Sequence, residues 1–454
     1  RSGFDPRTQR ELTTIRQAAS LFNSMLAAAR APMAGIDLHR VCGKYYLQPP
    51  CPGGERVKAL VVSPFAVYPP THGSARRTAS LIEQLSSVAD VILLSDEESA
   101  YGIEQVRSAR GPISIHLAGG RQEDGSASDR ISRIRSHSHN SLRMEMERLA
   151  RVHKPAFIQI EHMELAALTF PRKPEVPHVL DLHDVHLSEQ GCTPADRFEQ
   201  RLIGHYDAVV TCSEEDARLV DHARIAVLPN GFTPHFTQYR RSRGRAMLFA
   251  GPFRYKPNLD GIVCFLNNVY PRLIEDVAGV ELIILGGNGA RDIASRQACF
   301  AQPGVVLIDR PVEIGPWLER CALTLNPLAE TRGSCVKVIE SIAFGRVCVS
   351  TDAGARGFRT LNARSLVTVP GIQDFHLPVR RLLLNDELRA RIEQPDHRRL
   401  SHLTWESIGR RQLDLYREWF GLGWPGFESP RPHSGGAPVP SPHSRRIAAE
   451  TLRE

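Results

Sequence analysis

The chain has 454 residues, 42% of them apolar, a formal charge of +7 and a pI near 9.0, which suits two or three globular domains at roughly 100 to 200 residues each. No run approaches the roughly 18 apolar residues of a membrane span, and the N-terminus lacks the apolar core of a signal peptide, so the expected location is cytoplasmic. The 57 basic residues are dispersed among 50 acidic ones without an aromatic-studded basic stripe, which argues against nucleic acid and fits anionic nucleotides or, at most, peripheral contact with the inner face of a membrane.

Nine cysteines never form a CxxC pair, and most flank apolar residues, as in VVTCS, IVCFL and RVCVS. They are expected as reduced core thiols rather than a disulfide framework or a zinc site. Arg1 in place of a Met leaves open that the chain is a piece of a longer polypeptide.

In chain order, residues 7 to 30 carry apolar Leu12, Ile15, Ala19, Phe22 and Leu26 at helical spacing, so residues 1–54 are expected as a helical extension. A first α/β block, 55–238, opens with VKALVVSPF, an unbroken apolar run of the kind buried on both faces of a parallel sheet. ADVILLS, FIQIE, HVLDLHD and DAVVTCS are further strands separated by helical stretches, and residues 118 to 140, rich in Gly, Ser, Arg and His, are expected as an exposed loop. A second α/β block, 239–404, contains the strands AMLFAG, VELIILG, VVLIDR, LTLNPL and VCVST. The alternation predicts two Rossmann-like, doubly wound domains facing each other across a cleft. WESIGRRQLDLYREWF gives one more amphipathic helix over 405–422, and the Pro-, Ser- and Gly-rich residues 423–454 are expected as a disordered tail.

Ligands of open α/β sheets bind outside the carboxyl ends of the strands, which directs attention to the loops there. After the first strand stands His72-Gly73-Ser74, whose single glycine is equally compatible with a plain strand-to-helix turn. VLDLHDVH puts His183 and Asp184 at another strand end, where the imidazole could meet a sugar hydroxyl and the adjacent carboxylate could set its tautomer; a structural role stays open. Glu161 and His162 form a similar pair. In the second block Arg254 and Lys256 follow the first strand, where cations would stabilise a leaving diphosphate, or simply line a solvated turn.

The most informative stretch is PLAETRGSCVKVIESIAFGRVCVSTDAGARG, residues 327–357: a loop, a Gly333-Ser334 turn, a helix, a stop at Gly345 and a buried strand. A helix tip of small residues offers free N–H groups to a phosphate. Glu340 follows about 10 Å along, at 1.5 Å per residue, within reach of a ribose on the same nucleotide diphosphate. An ordinary αβ unit with Glu340 in water remains the alternative.

LPNGF, AGPFRYKPN, ELIILGGNG and GSCVKVIESIAFGRVCVSTDAGARGF, in that order on paired Rossmann-like domains, resemble the retaining GT-B glycosyltransferases of group 1 (GT4-like) type over about residues 55 to 420. The resemblance implies transfer of a sugar from a nucleotide-diphosphate donor to a glycan, lipid-linked or protein acceptor, as in polysaccharide biosynthesis, with retained configuration and no metal or other cofactor. It implies that Glu340 binds the ribose and that Arg254 and Lys256 meet the diphosphate. Gly333 and Ser334 would bind phosphate or sugar through their N–H groups, with Lys337 also on the donor side. His183 would lie near the reacting carbon and the His72-Gly73 loop on the acceptor side. The chain departs from the family where a pair of glutamates eight positions apart is common: Arg332 takes the first position, and Glu330 comes two residues early. Two other readings follow from the same fold: a GT-B-type nucleotide-sugar epimerase, and a degenerate binding module of a larger polypeptide.

Overall fold

The computed structural model describes residues 56–96, 113–118, 129–169, 175–189, 193–234, 239–361, 363–393 and 397–424, with the backbone of strands at 37–41 and 44–48. The expected helix at 7 to 30 lies outside them. So does most of the tail.

The first sheet has nine strands: β1 (Asp37–Val41), β2 (Lys44–Gln48), β3 (Val57–Ser63), β4 (Ala89–Ser95), β5 (Ile113–Leu117), β6 (Phe157–Glu161), β7 (His178–Leu182), β8 (Ala208–Thr211) and β9 (Ile225–Val227). Their order is β1-β2-β5-β4-β3-β6-β7-β8-β9, antiparallel only where β1 meets β2 and β2 meets β5. The β1–β2 ribbon corrects the expectation of a helical extension for the part of residues 1–54 that it occupies. The second sheet, β10 (Ala246–Ala250), β11 (Glu281–Leu285), β12 (Val305–Ile308), β13 (Leu323–Asn326), β14 (Val347–Thr351) and β15 (Leu366–Val369), is parallel throughout in the order β12-β11-β10-β13-β14-β15. Each sheet reverses its winding once, between β3 and β6 and between β10 and β13, and such switch points open a crevice at the strand ends. The chain thus has the two facing Rossmann-like domains of the GT-B architecture.

The helices that matter to the cleft are α1 (Gly73–Ser86), α2 (Arg130–His137), α3 (Asn140–His153), α4 (Pro194–Ile203), α5 (Lys256–Asn268), α6 (Val336–Ala343) and α7 (Trp405–Phe420). Helix α2 corrects the expected loop at 118 to 140; the Asp129 side chain accepts from Ser132 N at 3.0 Å and starts it. Its one fully buried residue is Ile134, too weak a periodic signal to be read locally. Gly345 has the expected left-handed backbone, φ 76°. The six described cysteines are free thiols, Cys212, Cys299, Cys321 and Cys348 of them buried. No helix among the described residues is long and apolar enough to cross a membrane.

Helix α7 returns the chain to the first domain. Trp405, Ile408, Leu413 and Tyr416 join the first-domain core with Leu81, Leu85 and Phe157. Trp424, expected in the disordered tail, is buried there as well and donates from Nε1 to Leu413 O at 2.9 Å. The outgoing linker and the returning chain pair with each other: Phe232 N donates to Leu403 O at 3.1 Å and Trp405 N to Phe232 O at 3.0 Å. Beside this crossing, a Cβ on Gly231 would lie 2.7 Å from both Leu403 O and Ile408 Cδ1. Backbone here approaches backbone with no room for a side chain.

Gly231→Val is therefore expected to lower the stability of the protein by about 1–3 kcal/mol, the usual cost of overpacking. Gly315→Ala, where an added Cβ meets nothing within 4 Å, should leave the urea midpoint unchanged; equal behaviour of the two variants would contradict the close approach.

Candidate active site

Helix α6 stands at the switch point of the second sheet, after β13, and its N-terminal tip reaches the first domain. Gly333 has φ 61° and a Cβ there would sit 2.1 Å from His183 O, so only glycine allows this contact. Ser334 Oγ donates to Cys212 O at 3.4 Å, and its own carbonyl accepts from Asn230 Nδ2 at 2.7 Å. No side chain caps α6, which leaves its first N–H groups to water or to a ligand.

Glu340 faces the first domain from the α6 body. Arg76 Nη1 donates to both of its carboxylate oxygens at 2.7 Å. This pairing across 264 residues had no local signal; the nearest hint was the double arginine in HGSARR. A second interdomain pair joins Arg356 to Asp216 at 2.6 Å.

On the first-domain side, His72 caps α1, its Nδ1 accepting from Ala75 N at 3.3 Å. Gly73, the first residue of α1, packs 3.6 Å from Val336 as measured from an added Cβ, and Ser74 follows in the same turn. The rings of His72 and His162 stand edge-on to Phe65, and His162 lies 3.9 Å from His183, centroid to centroid. His162 holds a left-handed backbone, φ 70°, uncommon for a residue with a side chain.

The carboxylate that orients His183 is not the adjacent Asp184 but Glu161, on the neighbouring strand: His183 Nε2 lies 2.6 Å from Glu161 Oε2. Successive side chains at a strand end diverge, whereas residues across paired strands share a face. Burial holds His183 neutral and moves it down to about 3. Burial also moves Glu161 up to about 7, against the donors Gln159 and Thr78 and the charge of Arg77. Asp184 is raised to about 7 by burial, then by the carboxylates of Glu164 and Asp216, with Arg332 opposing.

Glu161, Asp181 and His183 bring two carboxylates and an imidazole within 4.8 Å, a donor set of the kind that could hold a cation. Both Asp181 oxygens, however, accept from Arg77 Nη2 at 3.0 and 3.1 Å. The cluster already contains its own positive charge, and the residues present fit an internal network better than a divalent ion.

The remaining predicted residues lie elsewhere. Lys337 turns into its own domain, donating to Asn258 Oδ1 at 2.7 Å with its ammonium 4.7 Å from the Phe249 ring; burial lowers it to about 8. Lys256 starts α5, pairs with Asp260 one turn on, and its side chain stays 80% exposed. Arg254 and Glu330 are exposed.

Residues 244–385 match the protein-family model described as glycosyl transferases group 1. The second domain is thus similar to the glycosyl transferases of group 1. The whole fold is similar to sucrose-phosphate synthase from Thermosynechococcus elongatus, with TM-score 0.65 and 13% identity over 81% of this chain and 100% of that one. It is also similar to an E. coli trehalose-6-phosphate structure bound with UDP-2-fluoro glucose, at TM-score 0.57, 10% identity and coverage of 81% and 100%. WaaG, a glycosyltransferase involved in lipopolysaccharide biosynthesis, gives 0.58, 11%, 79% and 99%. At these identities the likeness shows the GT-B fold. No curated protein sequence matches the chain.

The buried ionisable groups set opposing pH slopes. His72 and His116 are lowered to about 4, chiefly by burial; their folded values lie below the unfolded 6.5, so their contribution to stability is present above pH 6.5 and is lost as the pH falls through about 4. Glu161 is an acid raised to about 7, so its contribution is present below about pH 4.5 and is lost as the pH rises through 7. Urea midpoints between pH 5 and 8 should show His116→Gln flattening the acid-side loss and Glu161→Gln flattening the loss toward neutral pH.

Proposed function

We propose that the protein transfers a sugar from a nucleotide-diphosphate donor to an acceptor, with retention of configuration, at the junction of α6 and the His183 loop. The observation that carries this reading is the meeting of the two domains at their strand ends: the uncapped tip of α6, in the domain that matches the group 1 glycosyltransferase model, touches His183 O, just after β7, through Gly333. In this reading the diphosphate lies at the N-terminal end of α6, where N–H groups and the helix dipole favour negative charge. The ribose hydroxyls bind Glu340, and the sugar lies toward His183.

The tips of the two domains are in contact, so the donor enters as they part. Arg76 then gives up Glu340 to the ribose. Arg76 and Glu340 side chains are 26% and 18% exposed, partly solvated, and such pairs exchange partners at low cost. The displaced diphosphate oxygen takes the acceptor proton on the same face of the sugar, and the protein contributes position and charge stabilisation. Closure excludes water. Arg254, exposed in the loop after β10, is a cation on the donor side in this scheme. The acceptor class, glycan, lipid-linked or protein, is left to experiment, as is the base of the nucleotide. The epimerase and binding-module readings gain no specific observation.

UDP, GDP, dTDP, ADP and CMP should be titrated calorimetrically into the purified chain. One is expected to bind, with Glu340→Ala weakening it by about 1–3 kcal/mol, the scale of a lost buried hydrogen-bond partner, and Arg76→Ala strengthening it by freeing the carboxylate. Binding of no nucleotide, or unaltered affinity in a folded Glu340→Ala protein, would overturn the donor site. With the donor base known, His183→Ala should reduce turnover of the corresponding sugar nucleotide about 100-fold while nucleotide affinity is retained.

A further inference from the structure

A chain of buried hydrogen bonds runs from α7 to the imidazole of His183. Tyr416 Oη donates to Gln159 Oε1 at 2.7 Å and Gln412 Nε2 donates to the same oxygen at 3.1 Å. With its oxygen accepting twice, the Gln159 amide must present its NH₂ the other way. That group donates to Glu161 Oε1 at 2.5 Å. Glu161 Oε2 accepts from Thr78 Oγ1 at 3.2 Å and meets His183 Nε2 at 2.6 Å. All five side chains from α7 to the imidazole are at most 5% exposed, so water does not compete for any link. His183 Nδ1 is buried and makes no hydrogen bond among the described residues.

We propose that Glu161 is the positioning residue of His183 and that Tyr416 and Gln412 act on it from α7 through Gln159. Because the amide of Gln159 can face Glu161 in one sense only, the carboxylate is held with one oxygen committed to the amide and the other to the imidazole. The ring is thereby fixed by Nε2, and Nδ1 becomes its one uncommitted nitrogen. Helix α7 is also the segment that carries the chain back from the second domain, so its seating couples assembly of the two domains to the orientation of the imidazole. The importance of that orientation for transfer rests on the reading of His183 as a sugar-facing residue given above; the hydrogen-bond relay itself does not.

The test is long-range ¹H–¹⁵N correlation of the full chain labelled at histidine, with the His183 signal identified by its loss in His183→Asn. The unaltered protein should show one fixed tautomer of His183. Tyr416→Phe keeps the ring that packs on Phe157 and Trp419 and removes only the hydroxyl; it should shift the His183 nitrogens toward the average of two tautomers. Glu161→Gln, whose amide can donate or accept, should do so more completely. His183 nitrogens superimposable on the unaltered protein in both variants, with unchanged melting, would overturn the proposal. Shifted nitrogens in a protein that binds none of the five nucleotides would uphold the relay and sink the donor site instead.

Discussion

Arg77, a guanidinium without access to water, sits beneath the cleft, and most of the site's geometry follows from how its charge is met. Nη2 takes both oxygens of Asp181, while Nη1 reaches Leu228 O at 2.8 Å and Asn230 Oδ1 at 3.3 Å. One side chain thus ties α1 to β7 and to the linker between the domains. Asn230, with its oxygen turned to Arg77, has its NH₂ free for Ser334 O at the tip of α6. The same charge lies close to Glu161, and helps oppose the rise that burial imposes on that carboxyl. Removing one partner from so buried a pair leaves the other uncompensated, at about 3–5 kcal/mol.

The two adjacent arginines near the start of α1 work under opposite conditions. Arg77 and Asp181 are each 1% exposed and form a permanent strut; Arg76 and Glu340 are partly in water. Coulomb attraction in a wetter environment is weak enough to be traded for hydrogen bonds to a ligand. Adjacent positions on one helix therefore supply a fully buried strut and a partly solvated interdomain contact. The helix turn explains the division: neighbouring residues lie about 100° apart around the axis, so one faces the core and the other faces the second domain.

Close approach is the other constraint. Gly333 against His183 O and Gly231 against Leu403 O are places where backbone of one domain or linker lies against backbone of another segment. Both glycines stand in stretches singled out in the sequence, LPNGF and GSCVKVIES, although the sequence shows only that a glycine is present and not what it lies against.

Strands β4, β6 and β14 and helix α7 coincide with the segments expected from apolar runs and helical spacing, because burial on both faces or on one stripe writes itself into local periodicity. The doubly wound class, the cleft-side loops and the tip of α6 were legible for the same reason. Helix α2, the β1–β2 ribbon and the burial of Trp424 were not, since α2 carries a single fully buried residue, β2 joins the sheet through the distant β5, and Trp424 packs into the first-domain core. His183, just past a strand end, and Glu340, inside α6, could be chosen from the sequence as candidates. That Glu161 rather than Asp184 holds the imidazole, that Arg76 occupies Glu340 and that Lys337 turns inward to Asn258 were decided only by the tertiary structure. Strand order and the seating of α7 determine which side chains share a buried face, and neither is encoded in any local window of residues.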